Sequence, residues 1–157
     1  MTEEIYFRPY ISIDATDFKA LNIEWLEAYF EVEPYDELIL DNPKREILDN
    51  GGSIFMMLKE EKTIGTFAFL KKEDGLYEFS KMAVTPKERG KGYGNSIMQF
   101  VIRHAEKHYW KSLILYSNTI LENSIHLYKK YGFLEVPIDP SINYSRGNIK
   151  MELKLDS

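Results

Sequence analysis

The chain contains no cysteine. Disulfides, thiolate zinc sites and a cysteine nucleophile are therefore excluded. Histidine is scarce, with three residues in all, His104, His108 and His126. His104 and His108 stand four apart on one predicted helix, a metal-capable spacing, but no third ligand accompanies them, so they are read as solvated helix residues and no metal is expected. No apolar run approaches the ~20 residues of a membrane span, and no membrane partner is expected. The opening Met1-Thr2-Glu3-Glu4 is acidic and lacks an apolar signal core, which gives a cytoplasmic protein as the expectation. Positive charge is also in deficit: 20 Lys and Arg against 25 Asp and Glu leave a net charge of −5. That balance argues against nonspecific nucleic-acid binding, yet leaves room for a small nucleotide-like ligand held by local charge. There is no internal repeat, low-complexity segment or linker. The 157 residues, 44% of them hydrophobic, suit one domain over residues 1–157 with a core that needs no staples.

Periodicity orders the elements. Glu4 to Ile13 reads as an N-terminal strand with an irregularity at Pro9. Asp14 reads as an N-cap, followed by a helix carrying Phe18, Leu21, Ile23, Trp25, Leu26 and Tyr29. Pro34 is expected to end it. Asp36 to Leu48 reads as a second helix with a possible interruption at Asn42-Pro43, stopped by Asn50-Gly51-Gly52. Three strands follow, Ser53 to Lys59, Thr63 to Leu70 and Leu76 to Val84, joined by polar turns of hairpin length and hence antiparallel neighbours. Asn95 to Tyr109 is helical, with Ile97, Met98, Val101, Ile102 and Ala105 on the apolar stripe. Leu113 to Tyr116 is a short buried strand, and Leu121 to Tyr131 a helix closed by Gly132. Phe133 to Val136 and Asn148 to Leu155 are the last strands. The order βααβββαβαββ predicts a mixed α/β fold, with a mostly antiparallel mixed sheet flanked by helices.

The stretch Met82 to Gly94 stands out. A strand enters it, a helix leaves it, and between them lie Lys87, Arg89 and Lys91 with Gly90, Gly92 and Gly94. Helix N-termini present unpaired N–H groups and partial positive charge. Glycines let those groups approach a phosphate without a side chain in the way. The stretch thus reads as a pyrophosphate cradle. A dinucleotide fingerprint would need its third glycine where Asn95 stands, with an acidic ribose binder after it, and neither is present. A Walker loop needs Gly-Lys-Ser or Gly-Lys-Thr, and Gly90-Lys91-Gly92 is not that.

The spacing Arg89-x-x-Gly92-x-Gly94, preceded by Val84 and Pro86, resembles the acyl-CoA signature Arg/Gln-x-x-Gly-x-Gly/Ala of the GNAT superfamily of N-acetyltransferases. Downstream, Leu127-Tyr128-Lys129-Lys130-Tyr131-Gly132-Phe133 is similar to the family's Leu-Tyr-x-x-x-Gly-Phe segment. The element order matches the family over nearly the whole chain. One departure is Leu121, which occupies the place of an Asn that touches the cofactor in many members. With Asn118 and Asn123 nearby, that contact is left unassigned.

The resemblance implies acetyl-CoA as co-substrate. Main-chain N–H groups from Arg89 to Gly94, through Gly90, Lys91, Gly92 and Tyr93, would bind the pyrophosphate, with Asn95 beside them. Lys87, Arg89 and Lys91 would add charge, partly offset by Glu88. Met82, Ala83 and Val84 would pair with the pantetheine arm as an added strand does. The implied reaction moves an acetyl group to a primary amine of a small molecule by direct attack in a ternary complex. Such chemistry needs a base, because alkylamines are mostly protonated near neutral pH. Glu78 is the candidate, read on one strand face with Ser80, Met82 and Val84; the alternative is a surface or substrate-orienting carboxylate. Tyr128 matches the family's general-acid tyrosine, and a phenol can protonate a departing thiolate; the alternative is a core aromatic under the Gly132 turn. Trp25 reads as core. Tyr29, Phe30 and Tyr35, in a region that closes over the acceptor in the family, are candidates for an aromatic wall. Arg146 is a candidate carboxylate clamp or an exposed loop arginine. A protein or peptide acceptor and a non-catalytic acyl-CoA sensor are the competing functions. Relatives include monomers and homodimers.

Overall fold

A computed structural model of the chain describes residues 4–138 and 147–155. Seven described strands lie in one mixed sheet in the order β1-β2-β3-β4-β5-β7-β6. They are β1 (Ile5–Pro9), β2 (Ser53–Lys59), β3 (Lys62–Glu73), β4 (Leu76–Val84), β5 (Ser112–Ser117), β6 (Leu134–Val136) and β7 (Ile149–Lys154). The helices are α1 (Ala15–Tyr29), α2 (Pro34–Asp41), α3 (Tyr93–Lys107) and α4 (Glu122–Lys130). The predicted element order stands. The chain divides into two compact units, residues 1–71 with 79–89, and residues 72–78 with 90–157.

In the first unit, β1 pairs antiparallel with β2, and β2 with β3. Five successive residues of β2, Ile54 to Leu58, are buried, so both faces of the strand are covered and no apolar–polar alternation is visible in its sequence. One face packs Ile54, Met56, Leu58, Ala68 and Leu70 against Phe18, Leu26, Ile39, Leu40 and Ile47. Elsewhere in the unit, Phe67 is fully buried, with the rings of Phe7, Phe55, Phe69 and Phe79 at 5.7–5.8 Å from its own.

The chain departs from its sequence reading at three places here. The first strand ends at Pro9, and Ser12–Asp14 is a turn of 3-10 helix. Asp14 makes no side-chain cap to α1. Its carboxylate instead takes Arg8 Nη1 and Nη2 at 2.7 and 2.9 Å and the Ile11 N–H at 2.9 Å, a bidentate pairing stronger than a cap. Pro34 does not end the first helix. The chain is already extended at Phe30, and Pro34 opens α2 at its first turn, where a missing N–H costs nothing. The interruption at Asn42-Pro43 is present, and one π-helical turn, Lys44–Leu48, follows.

In the second unit, β5 runs parallel to the Leu76–Glu78 end of β4 and antiparallel to β7, which also pairs with β6. The helix α3 begins and ends two residues earlier than predicted. It opens at the left-handed Gly92 and stops before Tyr109, whose φ is +57°. Ile97, Met98, Val101 and Ala105 are buried as predicted, and Ile102 is half-buried. The helix α4 ends in a Schellman motif: Phe133 N–H donates to Tyr128 O at 3.1 Å and Gly132 N–H to Lys129 O at 3.0 Å. Gly132 supplies the positive φ of +100° that this ending requires.

Candidate functional site

The glycine loop crosses from one unit to the other. In the first unit, β4 delivers Met82, Ala83 and Val84. The alternation predicted for Glu78 to Val84 breaks at Lys81, whose φ is +57°, so side chains beyond it do not continue the face of Glu78 and Ser80. Gly65 on β3 makes room for Ala83, since a Cβ there would lie 3.1 Å from the Ala83 carbonyl oxygen. After Thr85 a turn, Pro86–Glu88, leads to Arg89. Arg89 Nε donates to Val84 O at 2.9 Å, its guanidinium stands 5.6 Å from the ring centre of Tyr29, and its Nη2 is buried without a hydrogen-bond partner among the described residues. Such an orphaned buried donor is costly and calls for an acceptor. Glu88, expected to offset the loop charge, pairs with Lys59 Nζ at 2.8 Å. Lys87 is exposed and borders a cleft of about 240 Å³ with Asp17, Glu24 and Lys62.

In the second unit, the loop continues through Gly90, Lys91 and Gly92 into α3. Gly90 and Gly92 have φ of +77° and +80°, and a Cβ on either would meet nothing within 4 Å. Their backbone is therefore open to close approach, at the start of a helix with unpaired N–H groups. The Asn95 N–H is turned onto the Gly92 carbonyl at 3.2 Å. Gly94 has a different reason to be glycine: a Cβ there would lie 2.9 Å from Leu127 Cδ2 of α4. Asn95 Oδ1 accepts Lys130 Nζ at 2.8 Å and the Tyr131 hydroxyl at 2.9 Å, fastening the start of α3 to the end of α4. Tyr93 is half-buried and Lys91 exposed. In this unit the open glycines and the helix start fit an anionic ligand rich in acceptor oxygens.

Glu78 and Tyr128 are both buried, at 4% and 8% exposure. Glu78 Oε1 lies 3.1 Å from Lys72 Nζ, a partner that the sequence reading missed. That reading had assigned Lys71 to Gly75 to a turn, whereas β3 carries Lys72 in strand conformation as far as Glu73. Burial pushes the Tyr128 phenol up to about 12, so it keeps its proton across the neutral range and can only donate it. Its ring centre lies 6.0 Å from that of Phe133, so the residue also packs under the Gly132 turn.

Tyr29 and Phe30 come together around Trp25, with ring centres 5.4 and 5.7 Å from the indole. Trp25 itself packs on the core, as does Tyr35, so the three candidates part: Tyr29 and Phe30 gather around Trp25, and Tyr35 is tied to the core. Arg146 lies outside the described residues. Leu121 is the N-cap of α4, and Asn118 closes the turn before it, accepting the Ile120 N–H at 3.0 Å. The rings of His104 and His108 lie 4.2 Å apart, tilted by 37°, and His108 Nδ1 lies 2.8 Å from His104 O.

Residues 17–133 match the sequence model of the acetyltransferase (GNAT) family. No curated protein matches the chain by sequence. Among solved structures, an acetyltransferase of the GNAT family from Staphylococcus aureus superposes with a TM-score of 0.85 at 15% identity, covering 98% of this chain and 100% of the other. The spermidine N-acetyltransferase of Vibrio cholerae, in complex with CoA and spermine, gives 0.71 at 18% identity over 96% of this chain and 95% of that one. A GNAT family acetyltransferase from Elizabethkingia anophelis with acetyl-CoA bound gives 0.67 at 21% identity over 98% and 100%. At such identities the likeness is one of fold. The family match spans most of the chain, and with the glycine loop leading into α3 and Tyr128 leading into the Gly132 turn it carries the conclusion: this chain belongs to the GNAT family of acetyltransferases and is an acyltransferase enzyme.

Proposed function

We propose that this enzyme moves the acetyl group of acetyl-CoA to a primary amine of a small, cationic acceptor by direct attack in a ternary complex. The observation that carries this reading is the open, left-handed backbone at Gly90 and Gly92, ahead of a helix start. Main-chain N–H groups there suit a diphosphate. The main chain of Met82 to Val84 offers a strand edge to the pantetheine arm. Val84 O already accepts Arg89 Nε, so its second lone pair would serve.

Glu78 takes up the proton that the amine must shed, directly or through water, and the amine nitrogen then bonds to the acetyl carbon. Tyr128 donates its proton to the sulfur as the carbon–sulfur bond breaks. The protons balance: the ammonium gives two, one to Glu78 before attack and one to water as the amide forms; the sulfur gains one from Tyr128, water restores both side chains, and one proton is left in solvent. Residues 20–43 hold seven Asp and Glu and no Lys or Arg; Asp36 and Asp41 are paired with Lys81 and Lys19, and the rest of this acidic stretch favours an ammonium-bearing acceptor. Several fold neighbours described as spermidine N-acetyltransferases point the same way.

The test is calorimetry with CoA and acetyl-CoA, followed by release of free thiol in the presence of an amine panel that includes spermidine. Binding with turnover of small cationic amines is expected. Binding without turnover on any amine favours a sensor, and no binding removes the proposal.

A further inference from the structure

We propose that Lys81 and Asp36 are positioning residues for the acceptor, acting as a buried ion pair that pins the joint between α1 and α2 to β4. The inference rests on the acetyl-transfer reading above. Lys81 sits inside a strand with φ +57°, a conformation that a residue with a Cβ rarely adopts and that persists only where surroundings enforce it. What stands next to it is a carboxylate. Lys81 Nζ lies 3.3 Å from Asp36 Oδ1, with the two side chains 5% and 0% exposed. An ordinary strand conformation at residue 81 would turn the side chain to the other face and take the ammonium away from the buried Asp36 carboxylate.

Asp36 has a second duty. Its Oδ2 accepts the Glu33 N–H at 2.9 Å and so closes the capping box that starts α2. The cation of β4 is thereby coupled to the first turn of that helix. A second tie holds the other end of the joint: Arg89, fixed to Val84 O, carries its guanidinium over Tyr29 at the end of α1. The segment Phe30 to Glu33 is thus fastened at both ends to the strand whose main chain is offered to the pantetheine arm. Phe30, Tyr29 and the carboxylates of Glu31 and Glu33 are the groups that this fastening orients.

Two variants test it, each chosen to keep the fold. Lys81→Gly removes the cation and relieves the left-handed backbone. Asp36→Asn removes the charge and keeps an oxygen for the Glu33 N–H. The readouts are CoA affinity by calorimetry, the KM for spermidine or whichever panel amine is turned over, and amide hydrogen exchange of residues 30–36. Each variant is expected to raise the amine KM by about tenfold or more, a loss on the scale of a buried charge pair. Exchange should quicken in 30–36, CoA affinity should stay within twofold, and the double variant should be no worse than the weaker single. An amine KM within twofold of wild type, or a loss of CoA affinity as large as that of the amine, overturns the inference while leaving the acetyl-transfer reading in place. A wild-type protein that binds no CoA overturns that reading and this inference with it.

Discussion

Glu78 and Tyr128 share burial but not chemistry. Glu78 lies beside the Lys72 ammonium, whereas burial raises the pKa of the Tyr128 phenol. Substituting Glu78 by Gln keeps the shape and removes the base. We expect kcat to fall by about two orders of magnitude, within the usual range for a positioned base, and the acid limb of the rate profile to flatten; an unchanged profile removes Glu78 from the reaction. Tyr128→Phe keeps the packing on Phe133 and removes the hydroxyl. Its kcat should fall by about tenfold or more with CoA affinity unchanged, and full activity would assign Tyr128 to packing alone. The same variant has a stability signature. Because the folded phenol ionises near 12 and an unfolded one near 10, the unfolded chain loses its proton first, and stability falls as pH rises through that interval. The variant should lose less stability there, as Tm against pH will show. Glu78 was singled out by its place on a strand and Tyr128 by its match to the family's tyrosine. Lys72 was not, since a lysine beside a turn looks the same whether it meets water or a carboxylate.

At the level of elements, the glycine loop separates ligand contacts from packing contacts. Gly94→Ala puts a methyl group 2.9 Å from Leu127 Cδ2, the far end of a half-buried side chain that must turn aside, a small cost set against the helix propensity of about 1 kcal/mol that alanine gains. Its effect should show in Tm, by a few degrees at most, with CoA affinity unchanged. Gly92→Ala meets no such neighbour but must hold φ +80°, at about 1 kcal/mol. It should weaken CoA binding more than it lowers Tm. If the two variants exchange these signatures, the division of labour is wrong. Spacing showed that glycines were needed here, but their separate reasons depend on where α4 lies, which no local pattern encodes. The helix that starts at Pro34 is a similar case. Proline marks a boundary, and the choice between an end and a beginning fell to the Glu33–Asp36 capping box. The three consecutive strands Ser53 to Lys59, Thr63 to Leu70 and Leu76 to Val84 were legible because apolar runs between polar turns leave few alternatives.

For the molecule as a whole, two of the described groups weaken stability in acid. The Arg8 guanidinium, hydrogen-bonded to Asp14, holds that carboxyl below its ordinary value. His104 is lowered to about 4, mainly by burial and further by His108 and Lys107. In each case the unfolded chain takes up its proton at a higher pH than the folded one, so stability falls as pH drops. For His104 the loss runs from about 6.5, the ordinary imidazole value, towards 4; for Asp14 it begins below that. We expect Tm to decline from pH 6.5 downward, and His104→Gln to flatten the upper part of the decline while Asp14→Asn flattens only the lower part. A Tm that stays level in wild type between pH 6.5 and 4.5 would contradict this assignment. The His104 cluster had been read as solvated helix residues, because helical spacing does not reveal that Trp110 packs against the imidazole edge.

The two tryptophans are distributed one to each unit. Trp25 lies beside Tyr29 and Phe30, and Trp110 stacks flat on Tyr77 at 3.7 Å. Each indole is therefore a built-in fluorophore for its own half of the chain. Removing them one at a time, by Trp25→Phe or Trp110→Phe, yields proteins whose emission follows a single half during denaturant titration. Since one continuous strand, β4, contributes residues to both halves, the two emission curves should share a midpoint.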